Sequence, residues 1–184
     1  EERTHLYGVH AENDLPFTDF NYLESTEEFD TIYRMTRFQL CEDANGDLVG
    51  MRAHITRFEA ETLSPKTRLS MNKVGTVQGD GISCGSIVLD AENGEYLSGI
   101  YFAYSGAGTV DYIRATSNRG QQISKGALTS EMTTSEMTSI QDSRILAFHG
   151  YENERIAAVG QVSVNINCIM GVTINESVDE PFLI

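Results

Sequence analysis

The chain has 184 residues, 40% of them apolar, and 27 acidic side chains against 13 Lys and Arg give it a net charge of −14. That length suits one domain with a substantial core, and no run of eighteen apolar residues exists for a membrane-spanning helix. The negative charge repels phosphate backbones and anionic lipid, so the expected partners are neutral or cationic, with no nucleic acid and no membrane insertion. Sixteen glycines against three prolines point to a turn-rich β protein.

In chain order, residues 1–30 scatter Leu6, Leu15, Phe17, Phe20, Tyr22, Leu23 and Phe29 among acids with no period of two or of 3.6, which predicts an irregular N-terminal arm. Arg34 to Cys41 and Leu48 to Ile55 predict strands, joined by a hairpin at Asn45-Gly46, whose residues tolerate positive φ. Thr56 to Gly81, with Pro65 and three glycines, reads as a long loop or a weak edge strand. A second hairpin is predicted around Asn93-Gly94, from Ser86 to Asp90 and Tyr96 to Tyr104. Ser105 to Thr109 then turns the chain into Val110 to Ser117. Thr129-Ser-Glu-Met-Thr133 is repeated at once as Thr134-Ser-Glu-Met-Thr138, and its threonine content disfavours a helix.

Arg144 to Asn167 contains the clearest pattern. Ile145 to His149 is extended in character, Gly150 is read as the turn, and Tyr151 to Arg155 forms a polar loop. From Val162 to Ile174 apolar and polar residues alternate, so one face is buried. Thirteen extended residues reach about 43 Å, whereas a globule of this size is about 40 Å across, so the strand's end is expected to leave the domain. Laying Tyr104-Ser-Gly106 over Phe148-His-Gly150 places Val110 to Ile113 over Ile156 to Val159, with the last loop two residues longer. The hairpin from Leu40 to Met51 makes a third unit, which suggests three-fold pseudosymmetry.

Glu95-Tyr96-Leu97-Ser98-Gly99-Ile100 with Tyr104, Val110 to Ile113 leading into Thr116 to Gly120, and Ile145 to Gly150 ending at Ala158-Val159-Gly160 follow one another in an order that resembles the jacalin-related lectins. The vitelline membrane outer layer proteins, also β-prisms, are the second resemblance. The resemblance implies an all-β fold, a β-prism of three four-stranded Greek-key sheets. The expected division is an N-terminal arm at 1–30, the prism at 31–168 and a C-terminal arm at 169–184.

It also implies a sugar site at a G-x-x-x-D loop of the last unit, where the Asp accepts hydrogen bonds from two sugar hydroxyls and loop N–H groups bind other oxygens. In this chain those two positions are Asn153 and Ala157. Loss of that carboxylate removes about 1.5–3 kcal/mol of charged hydrogen bonding. An altered or relocated site would draw on Gly106, Gly108, Asp111, Gly150, Tyr151, Glu152, Asn153, Glu154 and Arg155. For Asp111 the competing and favoured reading is that it braces its own loop.

Gly81-Ile-Ser83-Cys-Gly85 matches the nucleophile elbow, but no helix is predicted behind the serine. The four histidines are scattered along the chain, so neither Ser83 nor Cys84 gains a base and no enzyme is expected. Asp43-Ala-Asn45-Gly-Asp47 opens like a calcium loop, yet His54 stands where the bidentate Glu belongs, and the cysteines lack zinc spacing. No metal or cofactor is expected. Cys41, Cys84 and Cys168 permit three single disulfides, and the spacing does not choose among them. The chain starts Glu1-Glu2-Arg3, which reads as a mature secreted product, with Asn175 as its one glycosylation acceptor.

Two functions are expected from this. One is a secreted structural subunit whose terminal segments, with Cys168, Met170, Val172, Ile174 and Phe182, join copies into a filament or coat. The other is a glycan-binding lectin with a relocated or altered site.

Overall fold

The computed structural model describes residues 2–3, 6–8, 12–19, 31–106, 109–139 and 143–165, with backbone alone at 2–3, 7–8, 143 and 161–165. Its strands in chain order begin with β1 (Glu2–Arg3), β2 (Tyr7–Gly8), β3 (Leu15–Thr18), β4 (Thr31–Glu42) and β5 (Leu48–Glu59). β6 (Pro65–Ser70), β7 (Val74–Gly75), β8 (Ser83–Val88), β9 (Leu97–Ser105) and β10 (Thr109–Ser117) follow. The last are β11 (Gln122–Gly126), β12 (Thr133–Thr138), β13 (Ser143–Glu152) and β14 (Ile156–Asn165).

They form three antiparallel sheets in the orders β6-β5-β4-β8, β11-β10-β9-β12 and β1-β14-β13-β3, with β7 added to β5 and β2 to β14. In every sheet a central hairpin is flanked by one strand on each side, which is the three-fold repeat expected from the sequence. The segment read as an N-terminal arm supplies β1, β2 and β3 to the last sheet.

Alternation explains the core. β5 turns Met51, Ala53 and Ile55 inward and β9 turns Ile100 and Phe102 inward; with Phe38, Leu40, Ile113, Phe148 and Val159 they form one cluster fed by all three sheets. The Phe38 and Phe148 rings meet at 5.3 Å between centroids, joining first unit to last. A smaller cluster of Cys41, Val49 and Val77, with Ile82 against it, lies apart from the main core.

Two expectations are corrected. Asn93-Gly94 does not close a hairpin: β8 pairs with β4, and β9 pairs with β10 and β12. The dipeptide ends a 3-10 turn at Ala91–Asn93, with Gly94 at φ +82°, and carries the chain from one sheet to the next. Buried Glu95 fixes that passage by accepting hydrogen bonds from Asp90 N–H, Ser117 O–H and the Gln121 amide.

Gly150 does not turn the chain. It lies inside β13, paired with Val159 and Phe17, where a Cβ would stand 2.0 Å from the Ala158 carbonyl oxygen. The turn is three residues later, at Asn153 to Arg155. Consequently the overlay of Gly106 on Gly150 fails, and the middle and last loops span three residues each between their closing pairs.

Of the two readings left open for residues 56–81, the weak edge strand is the one found at β6. β6 is an edge strand whose side chains are mostly exposed, so it carries no buried alternation, and Pro65 opens it where a missing N–H is tolerated. The disulfide joins Cys41 to Cys84, directly opposite residues of β4 and β8. Cys168, Met170, Val172, Ile174, Asn175 and Phe182 lie outside the described residues, as does the continuation of β14 beyond Asn165.

Candidate functional site

The first and last central hairpins close on Glu42 with Leu48 and Glu152 with Ile156; in the middle one, which closes on Ser105 with Thr109, the pair equivalent to these is Tyr104 with Val110. One residue later each second strand bulges, leaving Val49, Asp111 and Ala157 without a partner in the register. Asp111 and Ala157 are therefore equivalent positions, as the sequence overlay had them. The segments between the closing pairs are Asp43 to Asp47, residues 106–108 and Asn153 to Arg155.

These three hairpin ends meet around Arg155. Its Nε–H and Nη2–H donate to the Leu48 carbonyl at 3.2 and 3.1 Å, and Nη2 stands 3.8 Å from Asp111 Oδ1. One guanidinium thereby ties the last unit to the first and to the middle one. Asp43 also feels it: the Asp47 N–H foremost, with Arg155 adding positive charge, holds the Asp43 carboxyl below the usual carboxylate range. Gly126 completes the contact, since a Cβ there would meet the Asp111 carbonyl at 2.0 Å and the Leu48 Cβ at 2.9 Å.

Asp111 is occupied by its own loop, with Oδ2 accepting Ser105 N–H at 2.9 Å and Oδ1 accepting Thr109 O–H at 2.8 Å. The bracing reading of Asp111 is the one the geometry supports. Ala157, at the matching bulge, is fully buried and offers only a methyl group. Gly108 lies outside the described residues, and Gly106 has open space around its Cα.

In the last loop, Glu152 Oε2 accepts the Gly75 N–H at 2.5 Å and the Glu154 carbonyl accepts Thr76 O–H at 3.2 Å. β7 thus stitches the last hairpin to the first. Tyr151 lies inside β13, half-buried between Ala158 and Pro16. Glu154 is exposed at φ +70°, the left-handed conformation at the loop's apex. Asn153 donates its side-chain N–H to Asp14 Oδ1 at 2.7 Å.

Asp14 is the residue that sequence reasoning missed. β3 pairs Leu15 with Glu152, which sets Asp14 beside the tip of the last hairpin, where it is 8% exposed. Its chain neighbours show no period, and Pro16 speaks against a strand, so only the long-range pairing reveals it. The first loop is a plain turn: Asp43 Oδ1 accepts the N–H groups of Asn45 and Asp47, and Gly46 takes φ +83°. Among the described residues no group of His, Cys, Asp and Glu is arranged to hold a metal. Ser83 and Cys84 of the G-x-S-x-G match lie on β8, with Cys84 in the disulfide.

No protein-family model matches the sequence, and no curated protein sequence matches it. Solved structures do match its fold. A Malaysian banana lectin superposes with TM-score 0.62 at 16% identity, over 89% of this chain and 98% of its own. Frutapin, a lectin from Artocarpus incisa, gives 0.61 at 13% identity over 89% and 96%. Artocarpin, solved with mannotriose, gives 0.59 at 15% identity over 89% and 97%. The three sheets with their central hairpins are therefore the β-prism of the jacalin-related lectins, and this chain has that fold.

Proposed function

We propose that the chain is a non-catalytic glycan-binding module whose contact surface is the tip of the last hairpin, built from Asp14, Asn153 and Glu154. The observation that carries this reading is the Asp14–Asn153 hydrogen bond of 2.7 Å. A carboxylate from the N-terminal segment stands at the loop whose own position, Ala157, has none. Asp14 Oδ1 and the Asn153 amide hold each other in place, and a carboxylate oxygen has lone pairs for sugar hydroxyls as well. Gly106, Gly150, Tyr151 and Arg155 serve the frame rather than the contact, and Asp111 braces its own loop. The lectin neighbours, among them one solved with mannotriose, support the class of ligand. A glycan array on the intact protein tests it. Binding that Asp14→Ala abolishes and Asp111→Ser spares is the expected result, whereas no binding, or binding indifferent to Asp14→Ala and Asn153→Ala, removes the reading.

A second reading, a structural subunit that joins copies of itself into a filament or coat, is favoured by β14. This strand runs as far as Asn165, and β1 pairs Glu2 and Arg3 with Ser163 and Val162, so both terminal regions meet at one sheet edge. Light scattering and electron microscopy of the native material test it, and a stable monomer whose state is unchanged by deleting residues 170–184 would sink it. For either function we propose an extracellular setting, a reading supported by the Cys41–Cys84 bridge because disulfides persist in oxidising compartments.

A further inference from the structure

The charge of this protein is unevenly spread. Residues 31–73 hold seven of the 13 basic side chains and five of the 27 acidic ones, a local positive excess in a chain of net charge −14. Register shows where the cations go. On β5, Met51, Ala53 and Ile55 point to the core, so Arg52 and His54 point outward. Residues directly opposite one another share a face, and the pairs are Arg52 with Gln39, His54 with Arg37 and Ser70, Arg37 with Val88, Gln39 with Ser86, and Thr56 with Arg68. Arg37, Arg52 and Arg68 therefore lie on one outer face across three strands.

That face carries no carboxylate at any of these positions. Among the described residues, none of the three arginines makes an ion pair; the nearest on this sheet, Lys66 with Glu59 at 3.7 Å, sits beyond the end of the row. Arg52 acts electrostatically on Asp19, whose carboxyl is buried at 1% exposure, and its Nε–H donates to the Met71 carbonyl at 3.1 Å. Between the arginines stand neutral hydrogen-bonding groups already oriented by them: Arg37 Nε–H donates to Ser86 Oγ at 2.9 Å, and Ser70 Oγ lies 3.0 Å from His54 Nδ1. Burial, Arg52 and Arg37 together hold His54 below its usual value, which places those two cations close to its ring. Val88, 64% exposed, supplies an apolar spot opposite Arg37.

We propose that this outer face of the first sheet, through Arg37, Arg52 and Arg68, binds a linear anionic polysaccharide. Guanidinium forks match carboxylate and sulfate oxygens bidentately, hydroxyls of Ser70 and Ser86 suit the neutral hydroxyls between charges, and Val88 suits the C–H face of a sugar ring. A sheet face is flat and open along the strands, which fits a chain rather than a terminal sugar. Duplex nucleic acid fits less well: it places one charge per ~1.7 Å of axis against three arginines, and the rest of this molecule repels it. The site is separate from the Asp14 loop and does not rest on it.

The test is equilibrium binding of the intact, oxidised protein to polygalacturonate, dextran sulfate, uncharged dextran and duplex DNA at low and at physiological salt. Expected are binding to polygalacturonate or dextran sulfate that weakens with salt, none to dextran, and a loss of at least tenfold in the Arg37→Ser/Arg52→Ser/Arg68→Ser variant. Arg114→Ser, which removes one positive charge from the outer face of the second sheet, is expected to bind as the wild type does, whereas each single substitution at Arg37, Arg52 or Arg68 weakens binding. Preference for the carboxylated or the sulfated polymer names the anionic group. No binding to either polymer, equal binding to dextran or DNA, or equal loss in the Arg114 variant overturns the proposal, and unchanged circular dichroism of the triple variant separates lost binding from lost fold.

Discussion

The middle and last hairpins occupy equivalent places in the prism and hold their tips by opposite means. In the middle one, Asp111 at the bulge draws its own loop together through Ser105 N–H and Thr109 O–H. In the last one, Ala157 at the same bulge does nothing of the kind, and the loop is tied outward through Arg155 to Leu48, Glu152 to Gly75 and Asn153 to Asp14. The middle loop is held mainly from within, with Arg155 3.8 Å from Asp111 as a tie to the last unit, whereas the outward-tied last loop couples three units. With no carboxylate at its bulge, the last loop is held from other parts of the chain, Asp14 among them.

The largest expected effect separates Gly150 from Gly106, which look alike in sequence. Gly150→Ala drives a Cβ against the Ala158 backbone and is expected to cost more than about 3 kcal/mol, while Gly106→Ala, with nothing within 4 Å, stays within about 0.5 kcal/mol. Urea denaturation of both variants checks this, and equal costs would break the register-based comparison.

Next is Arg155→Ala, which deprives the Leu48 carbonyl of a charged donor and is expected to cost about 2–3 kcal/mol by the same measurement. Asp111→Ala removes the two bonds within its own loop and the longer ion pair to Arg155, and about 1–2 kcal/mol is expected. Hydrogen exchange sharpens the contrast: Arg155→Ala is expected to raise exchange in all three hairpins, Asp111→Ala only around Ser105. Spread of the Asp111 effect to the first hairpin would refute the self-braced description.

The smallest effect concerns Asp19, whose carboxylate accepts N–H groups of Asn72 and Phe148 and so braces the last unit at its other flank. Burial raises its carboxyl from 3.8 to about 6 against those bonds. A raised value in the folded state means that its contribution is fully present below about pH 4 and is lost as pH rises through 6. Relative to Asp19→Asn, the wild type is therefore expected to gain about 1 kcal/mol of stability on acidification from pH 6 to 5. Parallel stability profiles would show that Asp19 is not the titrating group.

What could be read from the sequence had local causes. Strict alternation in β5 and β9 marked two inner faces, Asn45-Gly46 marked a true hairpin, and the equivalence of Asp111 with Ala157 emerged from spacing alone. Asn93-Gly94 misled because its preference for positive φ was real but served a 3-10 turn, while strand partners were chosen by β4 and β10 far along the chain. The candidate site was half visible: Asn153 and Glu154 lay in a polar loop, but Asp14 reaches them only through the pairing of β3 with β13.

The duplicated pentapeptide shows the boundary most clearly. Thr129-Ser-Glu-Met-Thr133 and Thr134-Ser-Glu-Met-Thr138 share every residue and hence every local propensity, and their threonines disfavour helix in both. Yet the first copy turns around Ser130 and Glu131, while the second lies within β12 and buries Met137 against the core at 2% exposure. The sequence by itself determined the turn-rich β composition, the inner faces and the missing carboxylate at Ala157. Only the tertiary structure decided which copy found the free edge of β9, which cysteines met, and where Asp14 came to rest, because each depends on a partner far away in the chain that local propensity does not encode.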